Sequence, residues 1–129
     1  MLTSTAFDYV NVLDKAADAS WKRENILANN IANVDTVGYK RRDLNFEQVL
    51  REELGNSKYV SLDTKVKNAD LSKLNPSVYK DYAHYSYRLD GNNVDIDTEE
   101  VELASEQIKY EALTKGINYE FTRMKSVIK

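Results

Sequence analysis

The stretch that decides the fold runs Leu27-Ala28-Asn29-Asn30-Ile31-Ala32-Asn33-Val34-Asp35-Thr36-Val37-Gly38-Tyr39-Lys40. Before it, from Ala6 onwards, mostly apolar side chains return at alternating spacings of three and four residues, a coiled-coil-like pattern. Within it, Asn, Asp, Thr and Gly favour turns over helix. The sequence therefore predicts an N-terminal helix over residues 5–34, with Ser20 and Glu24 as polar interruptions of its apolar face.

Residues 35–55 are predicted to form the helix exit and a short second helix. Asn45-Phe46-Glu47-Gln48 matches a helix start, because a polar cap and a glutamine three positions later can satisfy unpaired backbone N–H groups. Gly55 is suited to end this helix. Residues 56–78 are largely polar and hold the single proline, so they are expected to be a loop.

A small β-hairpin is expected in the remainder of residues 56–97. Apolar and polar residues alternate over 85–89 and again over 94–96, and the turn-forming residues 90–93 lie between them. This pattern predicts two short antiparallel strands joined by a tight turn.

A second long helix is predicted over residues 98–128. Asp97-Thr98-Glu99-Glu100 offers a cap and an acidic first turn, which suit free N–H groups and the helix dipole. Glu106 interrupts an otherwise apolar line that comprises Leu103, Tyr110, Leu113, Ile117, Phe121, Met124 and Ile128.

The predicted fold is thus mainly α and a single domain over residues 1–129, a length typical of one domain. Two long terminal helices form a coiled-coil-like axial unit, with a short helix, a polar loop and a small β-hairpin between them. Chain ends usually fray unless they are tied down. Two amphipathic helices at the ends therefore favour assembly with other chains.

Composition excludes several classes of function. A formal net charge of -3 argues against a dedicated nucleic-acid binder. The only basic cluster, residues 40–42, is interpreted as solvated surface. The absence of cysteine excludes disulfides and thiolate metal sites. No stretch approaches the roughly 18 apolar residues of a membrane span, and the first residues lack the pattern of a cleaved signal peptide.

No catalytic, cofactor-binding or metal-ligating residue is predicted. His84 is the only histidine, and it has no second histidine or cysteine to complete a ligand set. The acidic run over residues 90–100 does not fit a calcium-binding loop, because no register puts glycine and the ligands in their required places. Phosphate-binding loops and nucleophile elbows are absent. The chain is therefore not expected to be an enzyme.

Two segments resemble a known family. Leu27–Lys40 closely resembles the N-terminal signature of flagellar rod, hook and related axial proteins. Leu89–Glu100, followed by Glu106–Tyr110, is similar to the proximal-rod members of that family. Val37 departs from the pattern, since many members have proline before the glycine, and a stiff φ is lost there.

The resemblance implies a structural subunit of the proximal rod of the bacterial flagellar basal body. Such subunits pack their terminal helices into a helical drive shaft that transmits torque and encloses the export channel. The implied partners are copies of the chain, other flagellar rod proteins, the adaptor FliE and the flagellar type III export gate, whereas composition predicts no nucleic acid and no membrane span. The implied location is the basal body, after export without a cleaved signal peptide.

The resemblance also assigns roles to residues. Axial subunit contacts are expected from Leu13, Ala17, Leu27, Ile31, Leu113, Ile117, Phe121 and Met124. The family-signature turn is expected from Asn29, Asn30, Asn33, Thr36, Gly38 and Tyr39.

Several alternatives stay open. The apolar set could instead form a helical hairpin within one chain, and both arrangements can hold in part. Within the family, the alternative is another short rod subunit. Outside it, a cytosolic coiled-coil adaptor or export chaperone would use the same stripes without the Asn-rich signature, and a small hydrolase lacks a nucleophile and base.

Overall fold

The computed structural model describes residues 5–82 and 88–128 of the chain. Its two long helices are α1, Asp8–Ala32, and α4, Ile96–Ile128. They confirm the prediction of a mainly α chain with long helices at both ends. No helix in the part of the chain that the structure describes has the length and apolar character needed to cross a membrane.

Helices α1 and α4 lie side by side and run antiparallel. Leu13 lies against Gly116, whereas the Ser20 hydroxyl, farther along α1, donates to the Glu106 carbonyl oxygen at 3.4 Å. With 33 residues, α4 is about 50 Å long. We call the end where α1 stops and α4 begins the base of the helix pair, and the opposite end the tip.

Shorter elements occupy the segment between the two helices. Its two strands pair antiparallel, with Asp43 opposite Tyr79. In chain order the elements are β1, Arg42–Leu44, α2, Phe46–Leu54, α3, Leu62–Asn68, and β2, Val78–Lys80. Single 3-10 turns lie at Thr5–Phe7 and Leu71–Lys73.

The apolar core lies on a second face of α1, away from the face that meets α4. Val12, Ala19 and Ile26 recur every seven residues and are buried, which places them on one side of the helix. Their buried partners come from the connecting segment and are Leu44, Phe46, Val66 and Leu74. Because α1 packs on two sides, its sequence carries two overlapping stripes, of which sequence analysis identified only the one that includes Ala17 and Leu27.

Local capping explains where the helices begin. The Asn45 side chain accepts the backbone N–H of Gln48 at 3.0 Å, and α2 starts at Phe46, directly after Asn45, as the capping pattern predicts. The predicted cap of α4 was wrong by two residues. Asp95, not Asp97, serves as the cap, since its carboxylate accepts the N–H groups of Asp97 and Thr98.

The positions of the predicted hairpin and loop need correction. A small antiparallel sheet is present, but its strands are β1 and β2. Tyr85 and Tyr87 lie outside the described residues, whereas Val94 is in no strand and Ile96 begins α4. The polar residues 56–78 also contain α3, which the Ser61 hydroxyl caps through the N–H of Thr64 at 3.2 Å.

Candidate assembly site at the base of the helix pair

The two segments that carry the family resemblance meet at the base. The backbone N–H of Gly38 donates to the carbonyl oxygen of Asp90 at 2.8 Å, and that of Asn93 donates to Tyr39 at 3.3 Å. Gly38 has a φ of 72°, in the left-handed region that favours glycine. Residues separated by about half of the chain thereby form one structural unit.

Asn92 holds the turn that follows α1. Its side chain is fully buried, and its amide nitrogen lies 2.8–2.9 Å from the carbonyl oxygens of Asn33, Val34 and Thr36. These three carbonyls belong to the turn that follows α1, because the carbonyl oxygens of residues 29–31, in the last turn of the helix, already accept the N–H groups of Asn33 and Val34. Asn92 supplies donors to this turn from the segment that leads into α4, and the Arg88 guanidinium adds a bond to the Val34 carbonyl oxygen at 2.6 Å.

Asn30 ties the last turn of α1 to β1 and α4. Its amide nitrogen donates to the Arg42 carbonyl oxygen at 2.8 Å and to the Glu99 carboxylate at 3.1 Å. Its amide oxygen accepts the Tyr39 hydroxyl and the Arg42 N–H, both at 3.0 Å. Asn30 is fully buried and uses both donors and its acceptor, so the site specifies asparagine.

Arg23 is the first of two charged centres between the helices. Its guanidinium pairs with Asp43 on β1 at 2.8 Å, and with Glu102 and Glu106 on α4 at 2.9 and 2.8 Å. Burial alone would lower the pKa of Arg23, but the hydrogen bonds that its guanidinium donates to Asp43 and then to Glu106 raise the pKa above its ordinary value. The guanidinium therefore stays charged and joins three elements.

Arg41 is the second charged centre, next to the first. It is buried and pairs with Asp43 at 3.1 Å, with Glu99 of α4, and with Asp81 just after β2. Its backbone N–H donates to the Asn93 side chain at 2.7 Å. The interpretation of residues 40–42 as solvated surface was therefore wrong for Arg41. A guanidinium offers five donors, and here they link β1, β2 and α4.

Asp43 is shared by both arginines. Burial by itself would raise the pKa of Asp43, but hydrogen bonds from Arg23, from the Leu44 N–H and from Arg41 hold it below its ordinary value. The carboxylate is therefore ionised wherever the fold is intact near neutral pH. Removal of one partner from a buried ion pair leaves an unpaired charge, which destabilises the fold.

The structure brings the predicted turn residues together at the base. Asn33 bonds back to the last turn of α1, since its backbone N–H and its side-chain amide both donate to the Asn29 carbonyl oxygen, at 3.1 and 2.8 Å. The Thr36 hydroxyl donates to the Asn33 side chain at 3.1 Å. With Asn30, Gly38 and Tyr39 placed as above, all six lie in or beside the exit of α1.

The predicted axial contacts are distributed between the interior and the surface. Ala17 and Leu27 are buried within the chain. Phe121 is 41% exposed, with its ring centroid 6.5 Å from that of Phe7 at the tip. The others are half-buried and comprise Leu13, Ile31, Leu113, Ile117 and Met124. The intrachain helical hairpin is therefore present, and it leaves part of this set accessible to neighbouring chains.

Sequence analysis missed the charged centres and the role of Asn92. Glu106, which interrupts the apolar line of α4, is only 2% exposed and was the available signal. A charged residue at a core position predicts an opposite charge across the interface. Its partner is Arg23, which lies opposite it on α1. Within the described residues, no group of three or more His, Cys, Asp or Glu side chains is arranged to hold a metal ion.

Comparison with known proteins gives a consistent result. The family described as "Flagella basal body rod protein" matches residues 12–40. The flagellar basal body rod protein FlgB of Bacillus subtilis (strain 168) is 36% identical over 118 residues, which cover 90% of this chain and 89% of the relative. FlgB of Buchnera aphidicola subsp. Acyrthosiphon pisum is 33% identical over 92% of each chain. FlgB of Escherichia coli (strain K12) is 30% identical over 83% of each.

Proposed function

This chain belongs to the FlgB family of flagellar basal body rod proteins, and we propose that it serves as a structural subunit of the proximal rod, without catalysis of its own. As a rod component it assembles with other basal-body proteins. In the proposed role its terminal helices pack into the helical drive shaft, transmit torque and surround the export channel.

The observation that carries this proposal is the linkage of α1 to α4 at the base. Five carboxylates share Arg23 and Arg41 there, and buried Asn30 and Asn92 bind backbone groups across the junction. Buried, fully bonded polar networks rigidify the elements that they connect. A stiff antiparallel helix pair suits a shaft, because a torque on one helix passes to the other through short, directional bonds.

The accessible members of the predicted axial set are assigned to contacts between subunits. Phe121 lies at the tip with a large exposed fraction, and the half-buried Leu13, Ile31, Leu113, Ile117 and Met124 accompany it. Ala17 and Leu27 stabilise the hairpin of the chain itself. The six turn residues hold α1 and the segment before α4 at a fixed angle, which sets how the two helices meet their neighbours.

The finer partners follow from the family relationship. Copies of the chain, other rod proteins, the adaptor FliE and the flagellar type III export gate are the proposed contacts. Export without a cleaved leader through that gate is the proposed route, which makes the chain a type III export substrate. Support comes from the FlgB relatives and from the signature segments that meet at the base.

Isolation of basal bodies tests the proposed function. A strain that lacks the chain should be non-motile and should yield no complete rods, and a tagged copy that restores motility should copurify with the basal body. A cytosolic coiled-coil adaptor or export chaperone would instead stay in the cytosol and be absent from purified basal bodies. Complete rods in the deletion strain would contradict the proposal.

A further inference from the structure

Helix α1 has a third face, which packs against nothing in the described chain. We define the outer α1 stripe as Asp14, Asp18, Trp21, Asn25, Ala28 and Ala32, all of which are exposed. Their spacing alternates between four and three residues, the period of a helix–helix seam. Trp21 is 59% exposed, although tryptophan is among the residues that most often anchor protein interfaces.

Helix α4 has a matching exposed face. We define the outer α4 stripe as Val101, Ser105, Ile108, Ala112, Lys115 and Tyr119, again all exposed and again spaced by four and three. Val101 and Ile108 are each 69% exposed. The stripe points away from α1, because the side of α4 that meets α1 carries Glu106 and Gly116.

The charges of the two stripes are complementary. Asp14 and Asp18 are the only charged members of the outer α1 stripe, and Lys115 is the only one of the outer α4 stripe. Within residues 5–82 and 88–128, the side chains of Asp14 and Lys115 form no ion pair or hydrogen bond. Each is thus available to a charge on another molecule.

One antiparallel register satisfies both the charges and the apolar side chains. When Asp14 faces Lys115, Trp21 comes opposite Ile108, because Trp21 lies seven residues after Asp14 and Ile108 lies seven residues before Lys115. A further seven residues bring Ala28 opposite Val101. Leu13 and Gly116 already lie side by side within one chain, so this register corresponds to a neighbour with almost no shift along the helix axis.

We propose that the outer α1 stripe of one copy packs on the outer α4 stripe of a second copy in this register. The inference rests on the proposed function and deepens it by naming the surface and the alignment. The contact is heterologous, since different surfaces meet, and every added copy presents a free stripe of each kind. Such contacts continue into rings or open helices, the geometry that a tubular rod requires.

Engineered cysteines test the register directly, because the chain has no cysteine of its own. The variant Asp14→Cys/Lys115→Cys should form a ladder of disulfide-linked multimers when basal bodies are oxidised, and each single variant should remain monomeric on a non-reducing gel. Asp14→Cys/Ser105→Cys is the matched control. Its second cysteine lies in the same stripe but about 15 Å along the helix, beyond the roughly 7 Å that a disulfide can bridge between Cα atoms.

Charge exchange supplies a second, independent measurement. Asp14→Lys and Lys115→Asp should each reduce the yield of complete rods, and the combination should restore most of that yield. Basal bodies that contain the cysteine variant without a ladder above the control would overturn the register and leave the proposed function standing, as would single reversals without effect. Absence of the wild-type chain from basal bodies would overturn the proposed function itself. Disulfide bonds to a different rod protein would assign the stripe to that protein and also overturn the inference.

Discussion

The side-chain amide nitrogen of Asn92 lies 2.8 Å from the carbonyl oxygen of Thr36, just beyond the end of α1. This contact joins residues 56 positions apart in the chain. One buried asparagine thereby joins the turn that follows the N-terminal helix to the segment that leads into the C-terminal one.

Replacement of Asn92 by alanine should lower the free energy of unfolding by about 1–3 kcal/mol, because three part-buried carbonyl oxygens lose a donor from a fully buried side chain. Asn25→Ala is the matched control, since Asn25 also bonds a backbone carbonyl oxygen, that of Trp21 at 3.1 Å, but is exposed. It should change stability by no more than about 0.5 kcal/mol. Urea denaturation measures both. Equal effects of the two substitutions would contradict the role of Asn92 in holding the turn after α1.

Removal of the Arg23 guanidinium should destabilise the chain much more than removal of an exposed one. Arg23→Met leaves Asp43 and Glu106 with fewer partners in a buried site, which costs about 3–5 kcal/mol. Arg123→Met is the control, because Arg123 pairs with Glu120 at 3.3 Å and its side chain is 65% exposed. Pairs of that kind contribute at most about 1 kcal/mol. Thermal unfolding should separate the two variants clearly, and a stable Arg23→Met variant would show that the centre is dispensable.

Acid should weaken the fold through Asp43 and Glu47. Burial alone would raise the pKa of both carboxyl groups. A hydrogen bond from Arg23 to Asp43 and one from Lys109 to Glu47 hold these pKa values below the ordinary range. A group whose pKa is lowered by folding contributes stability above its unfolded value, near pH 4, and that contribution is lost as the pH falls through the folded value. Glu24 acts in the opposite direction, since burial, and then Glu106, raise its pKa.

The variant Asp43→Asn isolates this effect. Its deficit in unfolding free energy relative to the wild type should be full at pH 7 and should shrink between about pH 5 and pH 2, because protonated aspartate then resembles asparagine. Urea denaturation at a series of pH values measures it. A deficit that is constant or grows toward low pH would show that Asp43 is not held ionised by the arginines.

Introduction of a carboxylate into the predicted axial contacts should prevent rod assembly without preventing secretion. Ile31→Asp and Phe121→Asp should abolish motility, because an unpaired carboxylate is costly to bury between packed helices. Tyr59→Asp is the control, since Tyr59 is 89% exposed and lies outside both long helices. Swimming assays and basal-body isolation measure assembly, and the amount of chain in the culture medium measures export. Normal rods with either variant would remove these residues from the interface.

Stability should decrease along α4 from base to tip. Its buried side chains are Glu99 and Glu106, both in the half nearest the base, and regions with little burial open locally at low free-energy cost. In a verified monomer, amide hydrogens of residues 118–126 should exchange faster than those of 100–109. Hydrogen exchange followed by mass spectrometry measures the difference, and uniform protection would contradict it.

The long helices could be predicted because their signals are local and repeated. The spacing up to Val34 and the Asn-rich stretch after Leu27 are both periodic or compositional features that a sequence displays directly. The charged centres could not be predicted in the same way. Arg23 meets Glu106 from 83 positions away, and no local period reports such a partner. Strands of three residues, such as Val78–Lys80, are likewise too short to show alternation.

The base of the helix pair also constrains the order in which the chain can fold. The Ser20 hydroxyl bonds to Glu106, 86 residues later, and Asn92 binds the turn after α1 from 56 residues beyond Thr36. Contacts between such distant positions form late, since the intervening loop must be closed before they add stability. During synthesis, α1 and the turn after it therefore lack their contacts with α4 and Asn92 until residues beyond 100 have left the ribosome. Because these contacts come last, the topology delays folding and keeps the chain unfolded while it is being made.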